Sequence, residues 1–266
     1  MSKNDSSTVS THHRALRQAY QLMRQRFGHQ HWWPGETPFE VCVGAILTQN
    51  NNWGNVERAI ANLKAAEVLE PARLHALAET ELARLIRPAG YFNVKARRLR
   101  SFLEVLVGEF GGKLERLFAG NTAVVRARLL AIKGIGPETA DSMLLYAGGH
   151  LSFVVDAYTK RIFQRHGWSC GSPQSAGRSP QRGGASGSSG PAEEFSYDAL
   201  KALCETTLAH LPKLRRLDYW QDYHAQLVMV GKHCCRPREP RCASCPLQPL
   251  LPNPASAAAP KALPAA

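Results

Sequence analysis

The run Leu130-Ala-Ile-Lys-Gly-Ile-Gly-Pro-Glu-Thr-Ala-Asp-Ser-Met-Leu-Leu-Tyr146 constrains the chain more than any other feature. Gly134 and Gly136 bracket a tight turn, where glycine supplies backbone conformations closed to other residues. Pro137 opens the next helix, where its missing N–H costs nothing. A helix running into Ile132 therefore doubles back into a second helix. The surrounding sequence agrees with this. From about residue 14 to 130, apolar residues return at spacings of three and four, and β-branched alternation is almost absent. Stripes of this kind cover 59–63, 74–86, 96–110 and 124–132, with turns such as Pro88-Ala89-Gly90 and Gly111-Gly112 between them. The expected fold class is all-α.

At 266 residues the chain can bury a sizeable core. Lys and Arg outnumber Asp and Glu by 33 to 21, a formal charge of +12, which favours a polyanionic partner. No run of about 18 apolar residues occurs, so no membrane span is expected. The polar start, 1–13, has no signal-peptide core. These features point to a reducing, cytoplasmic setting, with nucleoid association if the source is bacterial. There the seven cysteines are not expected to form a disulfide framework. Residues 170–194 are rich in Gly, Ser, Pro, Gln and Arg and lack large apolar side chains, so a disordered insertion is expected. Flexible tails are expected at 1–13 and 252–266.

Downstream of the hairpin, Phe153-Val-Val-Asp-Ala-Tyr-Thr-Lys-Arg-Ile-Phe163 sets Asp156 between a strand-like apolar run and an amphipathic helix. An aspartate here suits a helix N-cap. The hairpin, this aspartate, Leu47-Thr-Gln-Asn50 and Ile86-Arg-Pro-Ala-Gly-Tyr-Phe-Asn-Val-Lys-Ala-Arg-Arg-Leu99 together resemble the endonuclease III superfamily of helix-hairpin-helix base-excision glycosylases. The resemblance covers about residues 32–245. It implies two helical lobes with a DNA cleft between them: a helical barrel over 37–150, with the helix-hairpin-helix at about 122–147, and a second lobe from 14–36 and 151–251. It also implies that Asp156 is the catalytic carboxylate, stabilising an oxocarbenium-like sugar as a damaged base leaves. By the same resemblance Gln49 fills the gap left by an extruded base, with Asn50 beside it. Lys133, Gly134, Ile135, Gly136, Thr139 and Lys95 are expected to hold the DNA backbone.

Glu138 departs from the pattern of the bifunctional members, which carry a lysine at this position. A carboxylate cannot form the imine through which that lysine leads to strand cleavage, so a monofunctional enzyme is expected. Within the superfamily the sequence is most similar to the 3-methyladenine DNA glycosylase III branch, on His31-Trp-Trp-Pro-Gly35 and Trp53. That likeness implies a base pocket of Trp32, Trp33, Pro34 and Trp53, whose indole faces suit a flat, electron-poor alkylated base.

Near the end, Cys235-x6-Cys242-x2-Cys245 has the spacing of the first three ligands of this family's 4Fe-4S loop. The fourth is due at position 251, which is Leu251. Three explanations stay open: Cys234 or another residue is the fourth ligand, the cluster keeps an open site, or it has been lost. A bound cluster is the expectation, with Arg236, Arg238 and Arg241 available to DNA phosphates.

The reading as a whole is a monomeric, monofunctional glycosylase removing a 3-methyladenine-like base from damaged duplex DNA. The alternatives are an endonuclease III-like enzyme for oxidised pyrimidines or mismatches, and a non-catalytic relative that binds damaged DNA.

Overall fold

The computed structural model describes residues 3–169 and 195–252. Among them there is no strand; the chain divides into two compact units, Trp33–Val154, and Met1–Trp32 with Val155–Ala266.

The Trp33–Val154 unit is built from α2 (Pro38–Leu47), α3 (Trp53–Ala65), α4 (Pro71–Ala76), α5 (Glu79–Leu85), α6 (Phe92–Gly108), α7 (Leu114–Leu117), α8 (Thr122–Leu130) and α9 (Pro137–Ser142). Its helices start where the sequence supplies caps: Thr37, Asn52 and Asn121 each accept a backbone N–H from the first turn that follows. α2 is the central element. Nine of its ten residues are buried, as expected of a helix apolar all round. Its Ile46 joins Leu63, Leu82, Phe102, Leu103 and Leu144 in one contiguous core.

The hairpin's two helices, α8 and α9, are tied by charge as well as packing. Arg126 donates to both carboxylate oxygens of the fully buried Asp141, at 2.9 and 3.1 Å, and the Ser152 hydroxyl donates to the same carboxylate at 2.6 Å. α9 then widens into a π turn over Met143–Ala147. The apolar run Phe153, Val154, Val155 is extended and buried, and it joins no ladder among the described residues.

The other unit contains α1 (Lys3–Phe27), α10 (Ala157–His166), α11 (Tyr197–Leu208) and α12 (Lys213–His233). α1 begins at Lys3, inside the segment expected to be a flexible tail; once nucleated, a helix extends at little cost per residue. Tyr20 and Arg24 of α1 both donate to Asp222 of α12, at 2.8 and 3.2 Å, and Tyr223 donates to the Leu16 carbonyl at 2.7 Å. α10 packs closely on α12. A Cβ on Gly231 would stand 2.2 Å from Cδ1 of Tyr158, so only glycine allows this approach. The expected insertion 170–194 and most of the tail 252–266 lie outside the described residues.

Candidate active site

In the Trp33–Val154 unit the hairpin turns through Gly134, whose φ of +92° favours glycine. A Cβ there would also come within 2.4 Å of Cγ of Arg98. Gly136, by contrast, is extended and has open space around it, so its role is that of the residue preceding Pro137 at the helix start. Lys133, Gly134, Gly136 and Glu138 are exposed. Glu138 occupies the first turn of α9, where the helix dipole favours a negative charge.

Gln49 is held against this hairpin. Its Nε2 donates to the Gly134 carbonyl at 3.1 Å and to the Thr139 hydroxyl at 2.8 Å, and its Oε1 accepts from Arg98. Asn50 beside it is exposed and left-handed, with φ of +52°. Asn51 donates to the Ala89 carbonyl.

Three residues expected to hold the DNA backbone have side chains that are turned inward. Lys95 is 1% exposed, and its Nζ donates to the carbonyls of Leu47 and Ala89 at 2.8 and 2.7 Å, so the charge serves the C-terminus of α2. Burial, helped by Arg98, pushes its pKa down to about 8. Ile135 belongs to the core and Thr139 is spent on Gln49. The other basic residues of α6 are engaged too: Arg100 donates to the Leu77 carbonyl at 2.7 Å, and Arg97 pairs with Glu79 at 3.9 Å.

The aromatic residues expected to form a base pocket divide between the units. Trp33 and Trp53 meet edge to face, with centroids 5.3 Å apart, and Tyr146 joins them 5.4 Å from Trp33. Gly44 of α2 makes room: a Cβ there would lie 3.3 Å from Nε1 of Trp33 and 3.5 Å from Cη2 of Trp53. Trp53 donates to Glu57 at 2.6 Å. Pro34 is exposed, and Trp32 is the last residue of the N-terminal segment of the other unit. Tyr146 was not singled out from sequence, although it ends the hairpin run and sits in the π turn, a feature frequent at functional sites.

In the other unit Asp156 caps α10. Its Oδ1 accepts from the Thr159 backbone N–H at 2.7 Å and the Thr159 hydroxyl at 2.8 Å. Its Oδ2 lies 3.6 Å from Nε2 of the buried His224 on α12. Burial pushes the Asp156 carboxyl up, but His224 and the two Thr159 donors hold it below the usual carboxylate range. Asp156 is therefore an ionised carboxylate with one oxygen committed to the helix and the other directed at a histidine. No sequence signal pointed to His224, which lies in an unbroken helical stretch.

At the far end of the same helix pair, Cys234, Cys235, Cys242 and Cys245 line one pocket together with Arg165, His166, Gln248 and Leu251. Arg165 donates to Sγ of Cys235 at 2.8 Å, and Arg161 to the Cys235 carbonyl at 2.6 Å. A hydrogen bond shared with Cys245 brings the Cys234 thiol down to about 7 and pushes the Cys245 thiol up. Among the described residues no three His, Cys, Asp or Glu side chains converge to hold a single metal ion; the four cysteines line one pocket instead. Four soft thiols on one pocket are the donor set that an iron–sulfur centre takes. Arg236, Arg238 and Arg241 of this loop are exposed.

Residues 43–178 match the HhH-GPD superfamily of base excision DNA repair proteins. The chain is 42% identical over 230 residues to a Methanocaldococcus jannaschii protein provisionally named as a DNA repair glycosylase, covering 86% of this chain and 92% of that one. It is 27% identical over 209 residues to endonuclease III of Thermotoga maritima, 78% of this chain and 79% of that protein. Among solved structures, the 3-methyladenine DNA glycosylase of H. pylori bound to 1,N6-ethenoadenine superimposes with a TM-score of 0.63 at 26% identity, over 83% of this chain and 97% of that one. The chain belongs to the helix-hairpin-helix superfamily of base-excision DNA repair proteins and is a DNA glycosylase of the endonuclease III family.

Proposed function

We propose that this glycosylase is monofunctional and acts on an alkylated base in duplex DNA. The observation that carries the reading is Glu138, an exposed carboxylate in the first turn of α9 where the bifunctional members of the family have the attacking lysine. Lys95, on α6, has its Nζ buried on two carbonyls and does not replace it.

In this reading Asp156 supplies the negative charge that stabilises the sugar as the glycosidic bond breaks. His224 positions that carboxylate and keeps it ionised. Trp33, Trp53 and Tyr146 offer aromatic faces and edges to a flat, electron-poor base, a cation–π contribution of about 0.5–2 kcal/mol for a cationic one. Lys133, Gly134 and Gly136 meet phosphates, and Asn50, exposed next to the tethered Gln49, reaches the space left by the flipped base. The ethenoadenine bound to the H. pylori relative supports a modified purine as the substrate.

The cysteine loop is read as the holder of a 4Fe-4S cluster, with Cys235, Cys242 and Cys245 among its ligands. When bound, the cluster would supply a covalent cross-link that orders the loop and presents Arg236, Arg238 and Arg241 to DNA.

The test is base release from duplexes carrying one defined lesion: 3-methyladenine, 1,N6-ethenoadenine, thymine glycol or a G·T mismatch. Release of an alkylated purine, with strand breaks only after alkali and loss of release in Asp156→Asn, is the expected result. Thymine glycol release with breaks before alkali would overturn it. Binding without release of any base would favour the non-catalytic alternative.

A further inference from the structure

We propose that Cys234, the residue immediately before the first cysteine of the spaced motif, is the fourth ligand of the cysteine cavity and takes the place that Leu251 leaves vacant. The inference rests on the cluster reading above.

Consecutive helical residues point about 100° apart, so neighbouring cysteines ordinarily face different directions. Here the end of α12 removes that divergence. The backbone N–H groups of Cys234 and Cys235 both reach the Val230 carbonyl, at 2.9 and 2.7 Å, so the last turn changes from the α to the wider π pattern. The Cys234 carbonyl in turn accepts from the N–H groups of Arg236 and Arg241, at 2.9 and 2.8 Å, which folds the loop back to bring Cys242 alongside. Cys234 and Cys235 consequently line the same pocket as Cys242 and Cys245, and Cys234 is within hydrogen-bonding reach of Cys245.

The remaining lining residues do less well. Leu251 presents hydrocarbon. The Nδ1–H of His166 donates to the Leu250 carbonyl at 3.1 Å, and its ring is stacked on Trp168 with centroids 4.5 Å apart. Gln248 and Arg165 are poor partners for iron, which in such clusters takes thiolate. Four thiols from one short segment therefore complete an all-cysteine ligand set without a cysteine at 251.

The test uses the full chain purified without oxygen, with iron and acid-labile sulfide analysis and electron paramagnetic resonance as readouts. Wild type is expected to hold iron and sulfide in the proportion of a four-iron cluster. Cys234→Ala is expected to lose at least about a quarter of its iron, one site in four, with a changed resonance signal. His166→Ala is expected to keep its full iron content. The double variant Cys234→Ala, Leu251→Cys is expected to regain the iron, which shows that any loss in the single variant is loss of a ligand and not of the fold. A loaded wild type with an equally loaded, spectroscopically unchanged Cys234→Ala overturns the assignment of Cys234 alone. A wild type without iron or sulfide overturns the cluster reading itself, and this proposal with it.

Discussion

Oδ2 of Asp156 lies 3.6 Å from Nε2 of His224, while Oδ1 is taken up by the cap of α10. One aspartate thus begins a helix with one oxygen and keeps the other for a histidine on α12. Burial alone would raise its pKa, and His224 is the leading group that opposes this. Removing the histidine leaves the burial and deletes the leading part of the compensation, with the Thr159 donors still in place. His224→Leu is therefore expected to move the acidic limb of the excision rate to higher pH, so that the variant loses activity at mild acidity where wild type retains it. Pre-steady-state base release measured from about pH 4.5 to 8, a range spanning the ordinary carboxylate and histidine values, checks this; an unchanged limb would remove His224 from any positioning role. Tyr158, whose hydroxyl is held up by burial and by Asp156 itself, stays neutral over that range.

The carboxylate at 138 lends itself to a gain-of-function test. Glu138→Lys places an amine at an exposed position in the first turn of α9. Borohydride trapping on lesion-bearing duplex is expected to give no covalent complex with wild type and a detectable one with the variant, because only an amine forms a reducible imine. Trapping by wild type would count against monofunctional chemistry.

Lys95 gives a pH dependence of stability with an unusual sign. Its pKa is about 8 when folded, against an ordinary value near 10.5, so the unfolded chain binds more protons between those limits. Folding is then disfavoured by this group at pH 7 and the penalty fades as pH rises from about 8 to 10.5, by up to about 3 kcal/mol. Denaturant titrations of wild type and Lys95→Met across about pH 7 to 10.5 should show the difference in stability between them shifting in favour of wild type as pH rises.

The Arg126–Asp141 pair fastens the hairpin. Arg126→Met leaves Asp141 as a buried carboxylate without its bidentate partner, a loss expected to cost about 3 kcal/mol. Arg126→Met with Asp141→Leu should recover much of that stability, since it is the stranded charge that is costly. Chemical denaturation of both variants provides the comparison.

Gly231 is the tightest point of the α10–α12 contact. Gly231→Ala, with its Cβ pressed into the Tyr158 ring, is expected to destabilise the chain by about 1–3 kcal/mol. Adding Tyr158→Ala should relieve the clash, and a double-mutant cycle on melting temperature measures the coupling.

The hairpin was open to reading in the sequence because Gly134 and Pro137 do backbone work that few other residues can do. Asp156 was legible twice over, as cap and as carboxylate, since both roles ask for the same residue at the start of α10. Lys95 was misread because a basic residue among Arg97, Arg98 and Arg100 looks like a solvated face. Its spacing from Leu99, Phe102 and Leu106 puts it on the buried stripe, and that periodicity could have flagged it. His224 left no trace, since a histidine's partner across two helices is set by packing and by nothing local. The convergence of Cys234 with Cys235 was hidden for a related reason: it depends on one carbonyl, that of Val230, accepting two successive N–H groups.

α10 is ten residues long, a rod of about 15 Å, with Asp156 capping one end and Arg161, Arg165 and His166 meeting the cysteine loop at the other. A rod fixed at both ends transmits tilt. Loss of Arg161 or Arg165, which tie α10 to the loop, is then felt at the carboxylate as a change of aim, with the loop's own arginines left in place. A search for inactivating substitutions in this protein should accordingly recover two well-separated clusters joined by a single helix, and at the distal one the substitutions of Arg161 and Arg165 should impair turnover more than DNA affinity.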